Sequence, residues 1–256
     1  MIIFTGSGRS GTGLYAKLFD AHHEYRVEEL IRRHFPSPLL PMPADPFADF
    51  AVRLRIMQDH LRGVDLKAFR DSSNPYVSFL DALYAIDPDV KIVLGLRDGR
   101  DFAVSGITRG YHLGGKYTGY SMTPELDDPY CPYWSLMTPI EKMAWWWTYR
   151  HRRAIERLAT VPRANILVVR LEDFGGDTDL SRRTIEALEA FLGIPAHRQW
   201  LTQKYNANRE QAFTPKEQWT PQMRKEFDFI AGDLMRAFGY YEDGRANRPV
   251  LAVGRP

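Results

Sequence analysis

Short, almost wholly apolar runs along this chain alternate with longer stretches in which apolar residues return every third or fourth position. The first pattern predicts buried strands and the second amphipathic helices. Strands are expected at residues 2–4, 66–69, 91–96 and 165–170. Helices are expected from residue 12 to about 22, where Leu14, Leu18 and Ala21 share a face, and over 47–61, 77–86, 101–109, 139–158, 180–192 and 223–238. Pro139 suits a first helical turn, where its missing N–H costs nothing, and Gly239 suits the position just past a helix end. Pro36, Pro38, Pro41, Pro43 and Pro46 exclude regular structure around them. Residues 110–138, rich in Gly, Tyr and Pro, read as a long loop or lid. Strands alternating with helices predict an α/β fold of three layers, α/β/α, around a mostly parallel sheet. The whole chain, 1–256, is expected to form one domain.

Composition narrows the function. Apolar residues make up 44% and charged residues 26%, which excludes a disordered chain or a coiled coil. The formal charge of +2 argues against a nucleic-acid partner, which calls for a strong basic excess. A single cysteine, Cys131, excludes an internal disulfide and a thiolate metal site, and His22 and His23 have no further ligand at metal spacing. No metal is therefore expected. No apolar run reaches the ~18 residues of a membrane span. The opening Met1-Ile2-Ile3-Phe4 reads as a strand rather than a signal peptide, so a cytoplasmic location is expected.

The first strand runs into Gly6-Ser7-Gly8-Arg9-Ser10-Gly11-Thr12-Gly13 and then a helix. Strand, glycine-rich turn and helix form a P-loop-like phosphate cradle, because glycine lets successive backbone N–H groups converge on an anion. An ordinary glycine turn is the competing reading, and four glycines with hydroxyl residues and an arginine weigh against it. In the nucleoside-triphosphatase loop G-x-x-x-x-G-K-[ST], Gly6 and Gly11 would have the right spacing. Thr12 then takes the place of the lysine and Gly13 that of the magnesium-binding hydroxyl. Such a loop suits a nucleotide end group of lower charge without an obligatory metal. A second motif, Arg97-Asp98-Gly99-Arg100-Asp101-Phe102-Ala103-Val104-Ser105, follows the strand at 91–96. Arg97 offers a planar fork of donors to a phosphate. A surface loop whose Arg and Asp residues pair with one another is the alternative.

Arg9-Ser10-Gly11-Thr12, taken with Arg97 and Ser105 eight residues later, resembles the sulfotransferases that use 3′-phosphoadenosine 5′-phosphosulfate (PAPS). Their first loop often reads Lys or Arg followed by Ser-Gly-Thr-Thr, and here Gly13 replaces the second Thr. The resemblance implies that Gly8, Arg9, Ser10, Gly11, Thr12 and Gly13 bind the 5′ end of the nucleotide, and that Arg97 and Ser105 bind its 3′-phosphate. PAPS would be the co-substrate and adenosine 3′,5′-bisphosphate (PAP) the product. Fainter similarities lie in Val168-Val169-Arg170-Leu171-Glu172-Asp173-Phe174, where Leu171 replaces a Tyr, in Phe191-Leu192-Gly193-Ile194-Pro195, and in Trp219 with Phe238-Gly239-Tyr240. The resemblance also makes residues 204–218 a segment that closes over the nucleotide. Arg209 and Lys216 within it read, each taken alone, as solvated surface charge.

Sulfuryl transfer to a hydroxyl requires a base for the departing proton and cations at the developing charge. The resemblance implies Arg9 and Arg70 as the catalytic cations, with a salt bridge to Asp71 or a neighbour as the alternative for Arg70. It places the base at Glu29, with Glu28 next and Asp71 as a rival. The imidazole of another branch has no counterpart, since Asp71 or Ser72 falls near its place. Tyr111, Tyr117, Tyr120, Tyr130, Tyr133 and Trp134 suggest an aromatic wall for a ring-bearing or lipid-like hydroxyl acceptor, in a small molecule, lipid or glycan. Trp145, Trp146 and Trp147 are consecutive on a helix and point three ways, so core packing is expected for at least one or two. A P-loop nucleotide kinase or triphosphatase is the alternative function, and a non-catalytic nucleotide-binding protein a third.

Overall fold

The apolar runs at residues 2–4, 91–96 and 165–170 become three strands of a five-stranded sheet in a computed structural model, which describes residues 1–26, 42–43, 47–114, 121–174, 178–201 and 213–241. The strands are β1 (Ile2–Gly6), β2 (His22–His23), β3 (Arg70–Ser72), β4 (Lys91–Leu96) and β5 (Ile166–Arg170). They stand in the order β2-β3-β1-β4-β5, and every neighbouring pair is parallel. The helices are α1 (Thr12–Leu18), α2 (Phe50–His60), α3 (Leu80–Ile86), α4 (Gly99–Thr108), α5 (Pro139–Leu158), α6 (Asp179–Leu192) and α7 (Pro221–Ala237). This is the expected α/β class.

The described residues fall into two compact units. One draws on Met1–Ile31, Phe47–Arg97 and His151–Ala207, the other on Arg32–Pro46, Asp98–Arg150 and Asn208–Pro256. The first unit holds the sheet. Phe4 and Val93 on one face of it join Tyr15 and Leu18 of α1 and Ile185 and Leu188 of α6 in a continuous core. Ile3, Ile92, Leu94 and Val168 alternate onto the other face and are equally buried. A parallel sheet has to be covered on both faces, and runs such as Ile92-Val93-Leu94 are apolar without alternation for that reason.

The second unit holds α4, α7 and α5 as far as Arg150. All three consecutive tryptophans are buried there, each in its own direction. Trp145 stacks with Tyr149 and meets Trp134, Trp146 meets Phe102 and Tyr111, and Trp147 meets Phe238. Core packing thus takes all three.

Three boundaries differ from the sequence pattern. Helix α1 stops at Leu18, and Asp20 then takes a left-handed φ of 49°, which turns the chain toward β2. The strand expected at 66–69 begins only at Arg70, because Leu66 to Phe69 close a turn in which the Phe69 N–H donates to the Leu66 carbonyl. Strand β2 carries two exposed histidines and so has no apolar signature.

Candidate functional site

The loop that leaves β1 stands at the carboxyl edge of the sheet, where the strand order reverses. The chain leaves β1 toward β2 on one side, and leaves β4 toward β5 on the other. Open parallel sheets bind ligands in the crevice between two such strands. Residues 6–13 close the β1 side of this crevice and Arg97 closes the β4 side.

The loop is held in a conformation that few sequences can adopt. Gly8, Arg9 and Gly11 all have left-handed backbones, with φ of 104°, 52° and 90°. Arg9 accepts this without being a glycine, a strain characteristic of ligand-binding turns. Gly6 pairs with Gly95 across the sheet, and a Cβ there would overlap the Gly95 carbonyl and the Ser10 side chain. A Cβ on Gly11 would stand 2.5 Å from Leu171 Cδ1, so Leu171 covers the loop from outside. Arg97 Nη1 donates to the Arg9 carbonyl at 2.9 Å and ties the two sides of the crevice together.

Two hydroxyls inside this turn have nothing to bond. Ser7 and Ser10 are fully buried, and neither Oγ finds a hydrogen-bond partner among the described residues. Tyr15, on the first helix after the loop, also buries an unpartnered hydroxyl. Burial, reinforced by Glu172 and Asp173, pushes that phenol far above its ordinary range and keeps it protonated. Buried polar atoms are almost always bonded, so orphans gathered at one turn mark a place for an outside group. The serine hydroxyls have donors to offer an anion, and two half-buried arginines, Arg9 and Arg97, stand beside them.

The other sequence candidates are placed as follows. Thr12 begins α1, and its carbonyl accepts from Ser72 Oγ at 2.8 Å. Ser105 belongs to the second unit, on the second turn of α4, and is 5% exposed. Arg70 is in register with Ile2, at the opposite end of the sheet from the loop, and donates to the Phe19 carbonyl at 3.3 Å. The structure therefore does not bring Arg70 to the loop, and among the described residues it forms no salt bridge with Asp71. Glu28 and Glu29 lie outside the described residues, as do Arg209, Tyr117 and Tyr120.

Asp71 is fully buried, and its Oδ2 accepts from Tyr76 Oη at 2.7 Å, Ser73 Oγ at 2.9 Å and the Tyr25 N–H at 3.2 Å. Burial and then the Asp71 charge push the Tyr76 phenol well above its ordinary range. Asp71 Oδ1 accepts from the Ser72 N–H at 2.7 Å, and these bonds give the carboxylate an organising role in β3.

In the second unit, residues 98–105 of the second motif show the pairing that its composition also allowed. Asp98 accepts from Arg100 Nη2 at 2.7 Å and from Lys216 Nζ at 2.9 Å, and Lys216 also reaches Asp101 at 2.7 Å. Burial alone would raise the Asp98 carboxyl, but the bonds and charges of Arg100 and Lys216 outweigh it and hold it below its usual range. Lys216 is thus no solvated charge; it anchors its segment to the first turn of α4. Of the described aromatic residues of 110–138, Tyr111 and Trp134 pack onto this unit's core, whereas Tyr133 is exposed. Tyr111 meets Trp146, and His112 lies between Trp134 and Trp146, where burial and then Lys142 push its imidazole down to about 4.

Sequence reasoning missed one neighbour of the loop. His23, at the carboxyl end of β2, places Nε2 3.4 Å from Thr12 Oγ1. Only strand pairing reveals it, since His23 and Thr12 belong to different elements.

Among the described residues no group of three or more His, Cys, Asp or Glu is placed to hold a metal ion, and no helix is long and apolar enough to cross a membrane. No family model and no curated protein matches the chain. Among solved structures it is similar to the sulfotransferase domain from the curacin biosynthetic pathway, at 13% identity and a TM-score of 0.49, over 91% of this chain and 96% of that one. It is also similar to a sulfotransferase from Alicyclobacillus acidocaldarius, at 17% identity and a TM-score of 0.45, over 92% of each chain. Identities and scores this low fix no chemistry.

Proposed function

We propose that this chain is a sulfotransferase that moves the sulfuryl group of PAPS to a hydroxyl of a small-molecule, lipid or glycan acceptor. The observation that carries the reading is the turn at residues 6–13. It lies at the reversal point of a parallel sheet, with orphaned serine hydroxyls and Arg9 and Arg97 beside it, yet has Thr12 and Gly13 where a triphosphatase needs lysine and a metal-binding hydroxyl. In this reading Gly8, Arg9, Ser10, Gly11, Thr12 and Gly13 receive the 5′ end of the nucleotide. Arg97 and Ser105 receive the 3′-phosphate. Arg9 stabilises charge on the transferred group and on the leaving phosphate, as preorganised cations do.

Isothermal titration with PAP tests it. Binding in the micromolar range is expected, weakened at least tenfold in Arg97→Ala and in Ser105→Ala. No binding at millimolar PAP, or binding that neither substitution weakens, overturns the reading. Magnesium-dependent ATP turnover in the absence of PAPS would favour a nucleotide kinase or triphosphatase instead.

A further inference from the structure

We infer that His23 is the group that removes the proton from the acceptor hydroxyl during sulfuryl transfer. The inference rests on the sulfotransferase reading and assigns its base. His23 is the last residue of β2, in register with Ser72 of β3. The link to the loop is short and runs through named bonds. The Glu24 N–H donates to the Ser72 carbonyl at 3.3 Å, and Ser72 Oγ donates to the Thr12 carbonyl at 2.8 Å. These contacts set the His23 ring beside Thr12, with Nε2 3.4 Å from Oγ1.

Alternation along the strand separates the two histidines. The His22 ring packs with Tyr25 and Phe69, so it is engaged elsewhere. His23 is exposed at the edge of the sheet, open both to an incoming hydroxyl and to water that can carry the proton away. Among the described residues, the titratable groups next to it are His22, Glu24, Tyr25 and Arg26 on its own segment and Asp71 on β3. Of these, Asp71 already accepts three bonds at Oδ2 and one at Oδ1. An imidazole nitrogen can accept a hydroxyl proton and pass it on to water, which suits a base.

The step balances without any further reactant. The acceptor O–H bond breaks and its proton goes to His23 Nε2. The acceptor oxygen forms a bond to sulfur. The bond from sulfur to the bridging oxygen breaks, and its electron pair leaves on the 5′-phosphate of PAP. His23 then releases the proton to water.

The test is His23→Gln, which keeps a polar group beside Thr12 but cannot carry the proton. PAP affinity is expected to stay within about threefold of the unaltered chain. With PAPS and phenol as the acceptor probe, turnover is expected to fall by ~10²–10⁴-fold, the usual contribution of a positioned base. With 4-nitrophenol at pH 8, where the acceptor is already ionised, the fall is expected to be less than tenfold. An equal fall with both phenols, or none with phenol, overturns the assignment. A second readout needs no acceptor at all. The His23 imidazole resonance, identified by its loss in His23→Gln, is expected to move on adding PAP and to stay in place with adenosine 3′-monophosphate, which lacks the 5′ group. PAP binding that leaves this resonance unmoved overturns the His23 assignment alone. Failure of the unaltered chain to bind PAP overturns the sulfotransferase reading, and the assignment with it.

Discussion

Arg97 and Arg9 are joined by a hydrogen bond from the Arg97 guanidinium to the Arg9 carbonyl at 2.9 Å. A side chain at the end of β4 thereby sets the backbone of the turn that follows β1. In a trans peptide the carbonyl and the next N–H point in opposite directions, so tying down the Arg9 carbonyl also fixes the direction of the Ser10 N–H. The residue proposed to grip one phosphate also shapes the cradle for the other.

Arg97→Ala should therefore cost more than ligand affinity. Loss of a hydrogen bond from a charged donor is expected to lower unfolding stability by about 1.5 kcal/mol. Arg97→Lys keeps the charge without the fork, and should recover some PAP affinity but little of the stability. Urea denaturation with and without PAP separates the two effects. Equal stability of all three chains would show that the bond to Arg9 does not shape the loop.

Arg9 holds a left-handed backbone that glycine adopts freely. Arg9→Gly should leave thermal stability unchanged or raise it by up to ~1 kcal/mol, the strain of a non-glycine residue in this region. The same substitution should lower sulfuryl-transfer turnover by at least ~10²-fold, on the scale of one removed charge-stabilising donor. A variant that unfolds more easily, or one that keeps full turnover, contradicts the role given to Arg9.

Gly6→Ala places a methyl group against the Gly95 carbonyl, where strand pairing allows no retreat. Overpacking at such a point is expected to cost ~1–3 kcal/mol. Because Ser10 also lies in the way, PAP binding should weaken together with stability. Thermal melts and titration on one preparation check both. Normal values in both would mean that β1 and β4 are not held in this register.

Asp71→Asn distinguishes an organising carboxylate from a base. The amide cannot accept from Tyr76, Ser73 and the Tyr25 N–H together, so stability should fall by ~1–3 kcal/mol for each donor left unpaired. Turnover of the chain that remains folded should change by less than tenfold. A loss of turnover beyond ~10²-fold at unchanged stability would make Asp71 the base after all.

The cluster of Asp98, Arg100 and Lys216 should make stability depend on pH at both extremes. The folded Asp98 carboxyl lies below its usual range, so near pH 4 the unfolded chain binds more protons than the folded one. Its stabilising contribution is complete above the ordinary carboxylate range and disappears as pH falls through the lowered value. Burial alone would lower the Lys216 ammonium, but the bonds and charges of Asp101 and Asp98 outweigh it and raise it. Its contribution is present below the ordinary lysine range and is lost as pH rises through the raised value. Asp98→Asn should flatten the acid limb of a stability-against-pH curve, and Lys216→Met the alkaline limb. Unchanged limbs would show that the ion pairs contribute nothing.

Much of this protein can be read locally. The pattern of residues 91–96 matches β4, and that of residues 139–158 matches α5, because a strand buried on both faces and a long amphipathic helix record their surroundings in every residue. The glycine-rich turn is equally legible, since its unusual backbone demands unusual residues where it occurs. Pairs distant in sequence behave differently. Nothing near Lys216 announces that it reaches Asp98 and Asp101, and nothing in His22-His23 announces a strand. Arg70 follows an apolar run and reads as the end of a strand, yet register places it at the beginning, away from the loop.

The sequence by itself determined the α/β class, the strands at 2–6, 91–96 and 166–170 and the glycine-rich turn, because each depends on the backbone preferences and periodicity of contiguous residues. Only the tertiary structure decided which side chains meet at that turn. Arg97 reaches it across a neighbouring strand and His23 across an edge strand with no hydrophobic signal, while Asp71 is consumed by its own donors. Strand order and register are set by the packing of the whole sheet, and no local pattern records them.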